Sequence, residues 1–435
     1  MRFIADAIAE HTGSKAYAEA VTAEKYFQKE NETITKYQKL LYTISGKAVP
    51  DNYSANHKCA SGFYEVFTTQ EVLFLLGNGA TFADKNIKQR IGGNRFDRNL
   101  VFAAMYARIH GVSFGYYREG RAFEYFKFTE FVPLYDEETG SLMAGIRFWR
   151  LADDKPQRIT LYEIDGFTEY IKRNNADMEI IDEKRGYKIT RKTSKIDGTE
   201  IIDGGSYPAF PIVPLWGGVT HRSSIIGLRE QIDCFDLIKS GFANDLDDAS
   251  MIYWTLENAG GMDDVDLVKY VERMRTVHAA VLDEDGAKAT AHTMEVPYES
   301  REVYLDRLTK DLYRDAMALD VERMQAGNVT ATQIRAAYEP LNEKSDLFEY
   351  CIIDFVSALL AIAGIDEIPT FKRSMIVNQL EDTQMILLAA SYLDDDTVVE
   401  KLPFMTPEEI EEAKTRRDVE GMRRTNMTDP TPLEE

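Results

Sequence analysis

Six histidines, His11, His57, His110, His221, His278 and His292, are the side chains best suited to ligate a metal or move a proton near neutral pH. None lies three to five residues from another histidine or a cysteine, so zinc-ligand spacing is missing. Asp245, Asp247 and Asp248 could offer carboxylates to a divalent cation. The stretch lacks the glycine and terminal glutamate of a calcium loop, and its helical pattern makes these residues a solvated face. No G-x-x-x-x-G-K-[ST] phosphate loop, G-x-S-x-G elbow or G-x-G-x-x-G turn occurs. The pairs Gly92-Gly93, Gly204-Gly205, Gly217-Gly218 and Gly260-Gly261 separate patterned segments and read as turns. The sequence therefore predicts no catalytic residue, no cofactor and no metal, and a protein that is not an enzyme.

The chain has 435 residues, enough for several structural modules. With 44% hydrophobic and 29% charged residues it has a globular composition rather than a disordered one. No apolar run reaches the ~20 residues that span a bilayer. The stretch Phe3 to Ile8 is broken by Asp6 and too short for a signal-peptide core. Cys59, Cys234 and Cys351 are odd in number and far apart, which favours a reducing, cytoplasmic site of synthesis. The formal charge of −22 keeps a surface solvated and argues against gripping nucleic acid with a broad basic face. It leaves open a wall that DNA slides past.

Periodicity supplies the elements. Residues 14–45, 62–76 and 98–110 read as helices, with Gly77 as a left-handed stop for the second. From Val112 to Tyr207, short Tyr-, Phe-, Ile- and Thr-rich runs alternate with turns at Glu119-Gly120, Glu138-Thr139-Gly140, Asp165-Gly166, Arg185-Gly186 and Asp197-Gly198. This is the pattern of an antiparallel meander, ended by Pro208, Pro211 and Pro214. Residues 225–257 read as one acidic helix of about 50 Å. A small unit follows, with a helix over 263–276 and a hairpin over 277–296. A second amphipathic helix runs from about Ser300 to Leu319. The two long helices should pack seam to seam and carry the insert at their tip, burying Phe235, Ile238, Leu308 and Leu312 between them or between neighbouring chains. Thr330 with Gln333 makes a capping box for a further helix, and three helical pieces close the chain, starting near Asp382, at Thr397 and at Thr406.

This order of parts resembles the portal proteins of tailed bacteriophages, in the long-tailed branch. The likeness is carried by Phe74-Leu75-Leu76-Gly77-Asn78-Gly79-Ala80-Thr81-Phe82, by Arg108-Ile109-His110-Gly111 before the strands, and by Val132-Pro133-Leu134-Tyr135-Asp136 within them. It continues in the helix, insert and returning helix of residues 225–320, in Gly327-Asn328-Val329-Thr330-Ala331-Thr332, and in Gln379-Leu380-Glu381-Asp382, Leu402-Pro403-Phe404 and Thr406-Pro407-Glu408-Glu409-Ile410-Glu411. The family often has polar residues where this chain has Val213-Pro214-Leu215-Trp216-Gly217-Gly218, and the acidic C-terminal tail here is short.

The resemblance implies an α+β fold with the portal architecture: a wing over 1–221, a first stem helix over 222–257, a clip over 258–298, a second stem helix over 299–320, a tunnel loop over 321–329, a long helix returning to the wing over 330–380, and a crown over 381–435. It implies a homo-oligomeric ring, typically of twelve chains, at one capsid vertex of the virion, assembled in the host cytoplasm. The ring would pass viral double-stranded DNA during packaging and ejection. Its partners would be the terminase large subunit, the major capsid and scaffold proteins, and head-completion and tail adaptor proteins, with no membrane. Lys310, Arg314, Arg323, Gln325, Gly327 and Asn328 are the candidates for the channel wall. Lys310 and Arg314, four residues apart, share a helix face, and Gly327 and Asn328 permit the backbone freedom of a loop beside the duplex. The basic residues could equally pair with Asp306, Asp311 and Asp315. A different reading of the same elements is an acidic helical scaffold or adaptor with no nucleic-acid role.

Overall fold

Alternating apolar residues between glycine turns fold into a meander in the computed structural model of the chain. Five antiparallel strands follow one another in chain order across a sheet: Phe131–Tyr135, Leu142–Trp149, Gln157–Glu163, Gly166–Lys172 and Met178–Arg185. The turns holding Gly140 and Asp165 join neighbours at the expected places. A further pair joins Lys188–Thr193 to Glu200–Gly205; its turn at Asp197-Gly198 lies outside the described residues. Those residues are 1–43, 45–52, 54–173, 177–193, 200–249, 253–257, 263–276, 288–292, 298–322, 331–374, 386–402, 410, 413 and 415–416.

The three prolines do not close the β region. Ile212–Trp216 is a strand that pairs with Val112–Tyr116, which in turn pairs with Glu124–Lys127. Pro214 faces Phe114 in this register. It is tolerated because the strand lies at the sheet edge, where one side of the backbone needs no ladder partner.

The helices at the N-terminal end are α1 (Arg2–Gly13), α2 (Lys15–Phe27), α3 (Glu32–Thr35), α4 (Phe63–Leu76), α5 (Lys85–Arg90) and α6 (Asn94–His110). The single helix expected over 14–45 is thus cut after Phe27, where Lys29 takes a positive φ of 62°, and residues 40–42 form a short strand. Helix α4 ends as expected, but Gly77 keeps a right-handed φ of −59°. The left-handed turn falls instead on Gly79, φ 73°, where a Cβ would lie 2.7 Å from the Asp97 carboxylate. Gly111 is the left-handed cap of α6, φ 90°.

The chain divides into two compact units. The first comprises Met1–Ala318 and Lys344–Lys372, and the second Leu319–Glu343 and Arg373–Glu435. In the first unit the main apolar cluster joins α4 and α6 to the long helix Ala331–Ile362 through Leu75, Leu100, Ala104, Phe348, Ile352 and Phe355. A second cluster sits under α2, α4 and the helix pair described below, and two more fill the sheets. In the second unit Tyr338 and Leu341 are buried, and Arg373 donates to Asn342 Oδ1 at 2.9 Å. The helix Asp395–Lys401 is capped by Asp394, whose carboxylate accepts from the Thr397 N–H and hydroxyl. It starts two residues before the expected Thr397, because an aspartate at the cap meets the free N–H groups directly. The expected helix starts at Asp382 and Thr406, and the capping Thr330, lie outside the described residues.

Candidate functional site: an antiparallel helix pair and its anchorage

Helix α7 (Arg229–Ala249) and helix α9 (Tyr298–Asp315) pack against each other and flank an insert. They run antiparallel. Gln231 donates to Asp315 at 2.8 Å near one end, and Arg301 pairs with Asp245 near the other. Twenty-one residues make α7 about 31 Å long, shorter than the expected helix. Residues 253–257 are not its continuation. Tyr253–Glu257 is a strand paired with Lys288–His292, and helix α8 (Asp264–Thr276) lies between them in the chain. The β-prone run Tyr253-Trp254-Thr255-Leu256 pairs with Ala289–His292, 33 to 39 positions away, rather than extending a helix. The expected hairpin over 277–296 is replaced by this strand pairing for residues 288–292; its turn lies outside the described residues.

The apolar seam is asymmetric. Leu312 is fully buried, whereas Phe235, Ile238 and Leu308 are half-buried. Phe235 meets the edge of Phe63 with ring centroids 4.9 Å apart, and Tyr313 meets Phe67 at 5.1 Å. The pair therefore packs onto α4 as well as onto itself.

Its polar anchorage is the feature that sequence reading missed. Along α7, Asp236, Ser240 and Asn244 accept backbone N–H groups of Ser61, Cys59 and His57 at 2.9, 2.9 and 2.6 Å. Each step is four residues on the helix and two on the extended segment. Four helical residues rise about 6 Å and two extended residues about 6.6 Å, so the two repeats stay in phase. Asp236 is wholly buried and also accepts from the Asn31 amide. Burial pushes its carboxyl upward, against the lowering pull of the Asn31 and Ser61 donors. One turn earlier, Asp233 accepts from the hydroxyls of Tyr26, at 2.5 Å, and Thr33, at 2.8 Å. In the sequence these two acids are simply part of the charge of an acidic helix. The row of short polar residues at 236, 240 and 244 was the available signal, because such side chains readily bond to backbone.

Of the channel candidates, Lys310 pairs with Asp306 and Arg314 with Asp311 at 2.9 Å and Asp315 at 3.1 Å. Bonding to Asp315 and the nearby Asp311 raise the Arg314 pKa. Arg307 pairs with Asp311 as well, at 3.0 Å. Three cations and three carboxylates thus form a balanced band on α9, not a basic one. Arg323, Gln325, Gly327 and Asn328 lie outside the described residues. Asp245 is held by Arg301 and Asp247 by His57, while the Asp248 side chain is outside the described residues. Among the described residues no three His, Cys, Asp or Glu side chains are grouped to hold a metal ion, and no helix is long and apolar enough to cross a membrane.

A second anchorage lies at the foot of the pair. Glu71 of α4, 1% exposed, accepts from Arg108 Nε and Nη2 at 3.0 and 2.9 Å and from Lys344 at 2.8 Å, all through Oε2. Lys344 also donates to the carbonyl of Ala316, just after α9, and Arg108 to that of Gly217. The Arg108 guanidinium lies 5.1 Å over the Phe348 ring. This cluster ties the end of the helix pair to α4, α6 and the long helix.

The family described as phage portal protein, SPP1 Gp6-like, matches residues 22–421. The portal protein of Clostridium phage phiCD119 is 23% identical over 444 aligned residues, covering 92% of this chain and 95% of that protein. The portal protein of Bacillus phage SPP1 is 21% identical over 425, covering 91% and 82%. A family match across nearly the whole length leads to one conclusion: the chain belongs to the SPP1 Gp6-like family of phage portal proteins.

Proposed function

We propose that the chain is one subunit of a closed ring at a single capsid vertex, and that the ring is the channel through which viral double-stranded DNA enters and leaves. The observation that carries this reading is the family match over residues 22–421. The antiparallel pair α7–α9 with its insert supports it, since it supplies a rod with a distal tip. In this reading residues 1–221 form the wing, the helix pair the stem, the strand–helix–strand unit within 253–292 with its surroundings the clip, 321–329 a tunnel loop and 381–435 the crown. The ring, of about twelve chains, docks the terminase motor and later the head-completion and tail proteins, and meets the capsid and scaffold proteins at its margin.

The electrostatics suit passage rather than grip. At −22 per chain, the ring repels the duplex overall. The balanced band of Arg307, Lys310 and Arg314 with Asp306, Asp311 and Asp315 offers cations that exchange a carboxylate for a passing phosphate without holding a sequence. The test is a phage carrying Lys310→Gln and Arg314→Gln together. Rings should assemble normally, and DNA packaging or retention should change, more so at low salt. Unchanged packaging and retention at every ionic strength would leave the pair as surface ion-pair residues.

A further inference from the structure

Outside the helix pair, the five-stranded sheet holds a cavity of about 240 Å³ near its junction with the three-stranded one. Arg118, Arg147 and Arg158 line it together with Glu124, Trp149 and Tyr162. Its charges are unevenly matched. Glu124 is committed to Arg118 at 2.6 Å, and its other oxygen lies 3.9 Å from Arg147, beyond hydrogen-bond reach. Arg147 is stacked 4.2 Å over the Phe126 ring and is engaged by the Tyr162 hydroxyl, while its Nε is buried with no hydrogen-bond partner. Arg158 is exposed at the rim and makes no ion pair or side-chain hydrogen bond among the described residues. Glu169, the other acid lining the cavity, pairs with Arg185 at 3.4 Å. The outer end of the Arg147 guanidinium has no carboxylate within hydrogen-bond reach among the described residues, and a chain this acidic places three arginines around one cavity.

We infer that this cavity is a binding site for a single carboxylate side chain of an acidic peptide segment on a partner protein. The guanidinium fork of Arg147, with Arg158 beside it, matches a planar carboxylate in two-point contact. The volume holds one side chain and is below the range of cavities that take a nucleotide. Glu124 and Glu169 in the same wall disfavour a doubly charged phosphate and tolerate one negative charge. Exposed Ile181, on the edge strand Met178–Arg185, also lines the cavity and gives apolar surface to the residues flanking the acid.

The experiment uses the full-length protein and ligand-observed saturation-transfer NMR at low salt. The probes are acetyl-Gly-Glu-Gly-amide, its Gln counterpart and inorganic phosphate. The Glu peptide should bind in the millimolar range and the Gln peptide at least about five-fold more weakly, with phosphate failing to displace it. Arg158→Gln should weaken the Glu peptide about three- to ten-fold at an unchanged melting temperature, and Arg147→Lys, which keeps charge but loses the fork, should weaken it further. Equal binding of the two peptides, wild-type binding by Arg158→Gln, or displacement by phosphate at lower concentration would each overturn the assignment.

Discussion

Two buried carboxylates anchor the helix pair, and they are solvated by opposite means. Glu71 sits between the cations Arg108 and Lys344. Among the described residues Asp236 has no cation bonded to it, and it is met by the Asn31 amide and the Ser61 N–H. The first is an electrostatic junction joining helices distant in sequence. The second belongs to a strip of neutral hydrogen bonds that fastens residues 57–61 along α7. Removing the carboxylate charge should therefore be severe at one site and slight at the other, although both side chains are buried.

Glu71→Gln gives the largest effect. It strands Arg108 and Lys344 in the interior, and we expect a loss of about 3–5 kcal/mol, read as a fall in melting temperature. Leu312→Ala comes next, at about 2–4 kcal/mol, because Leu312 is fully buried. Phe235→Ala, half-buried, should cost about 2 kcal/mol, so the ratio of these two variants measures how far the seam depends on the α9 side.

Glu24 sharpens the contrast by pH. Burial pushes its carboxyl up, yet hydrogen bonds from His110 and Lys127 outweigh this and hold it down to about 2. A depressed folded-state pKa gives stability that is present above the ordinary value of 4.5 and is lost as pH falls from there toward 2. Glu24→Gln should thus cost about 2 kcal/mol at pH 7, a cost that shrinks as pH falls below 4.5 and is gone only below about 2. Asp236 has the reverse sign. Burial pushes its carboxyl above the ordinary 3.8, so its contribution is present below that value and is lost as pH rises through the folded value. Asp236→Asn should stay within about 1 kcal/mol of wild type at pH 7, the smallest effect, because the Asn31 amide can turn its unpaired Oδ1 toward the new N–H, and it should remove this slope from the stability profile. A loss from Asp236→Asn as large as that from Glu71→Gln would break the comparison.

Much of the fold was legible because local signals agreed with tertiary ones. Glycine turns at short intervals marked the meander, and the three- and four-residue spacing of Ile232, Phe235, Leu308 and Leu312 marked the helix pair. The failures share a cause. Tyr253 and Leu256 fit a helical period equally well, and only a partner strand at Lys288–His292 decides against it. Pro214 reads as a stop unless its strand is known to be an edge. Nothing singles out Asp236 and Asp233 within the acidic helix until the segment around residues 26–61 is laid against α7. Glu71 gave no warning, because its two cations are 37 and 273 positions away in the chain. In each case the deciding contact is long-range, and no local pattern encodes it.

The central claim is that this chain closes into a ring around a channel, and negative-stain electron microscopy of the purified protein tests it most directly. Closed rings with a central, stain-filled opening are the predicted result. A preparation that contains only monomers or dimers at micromolar concentration, at low and high salt alike, would contradict it.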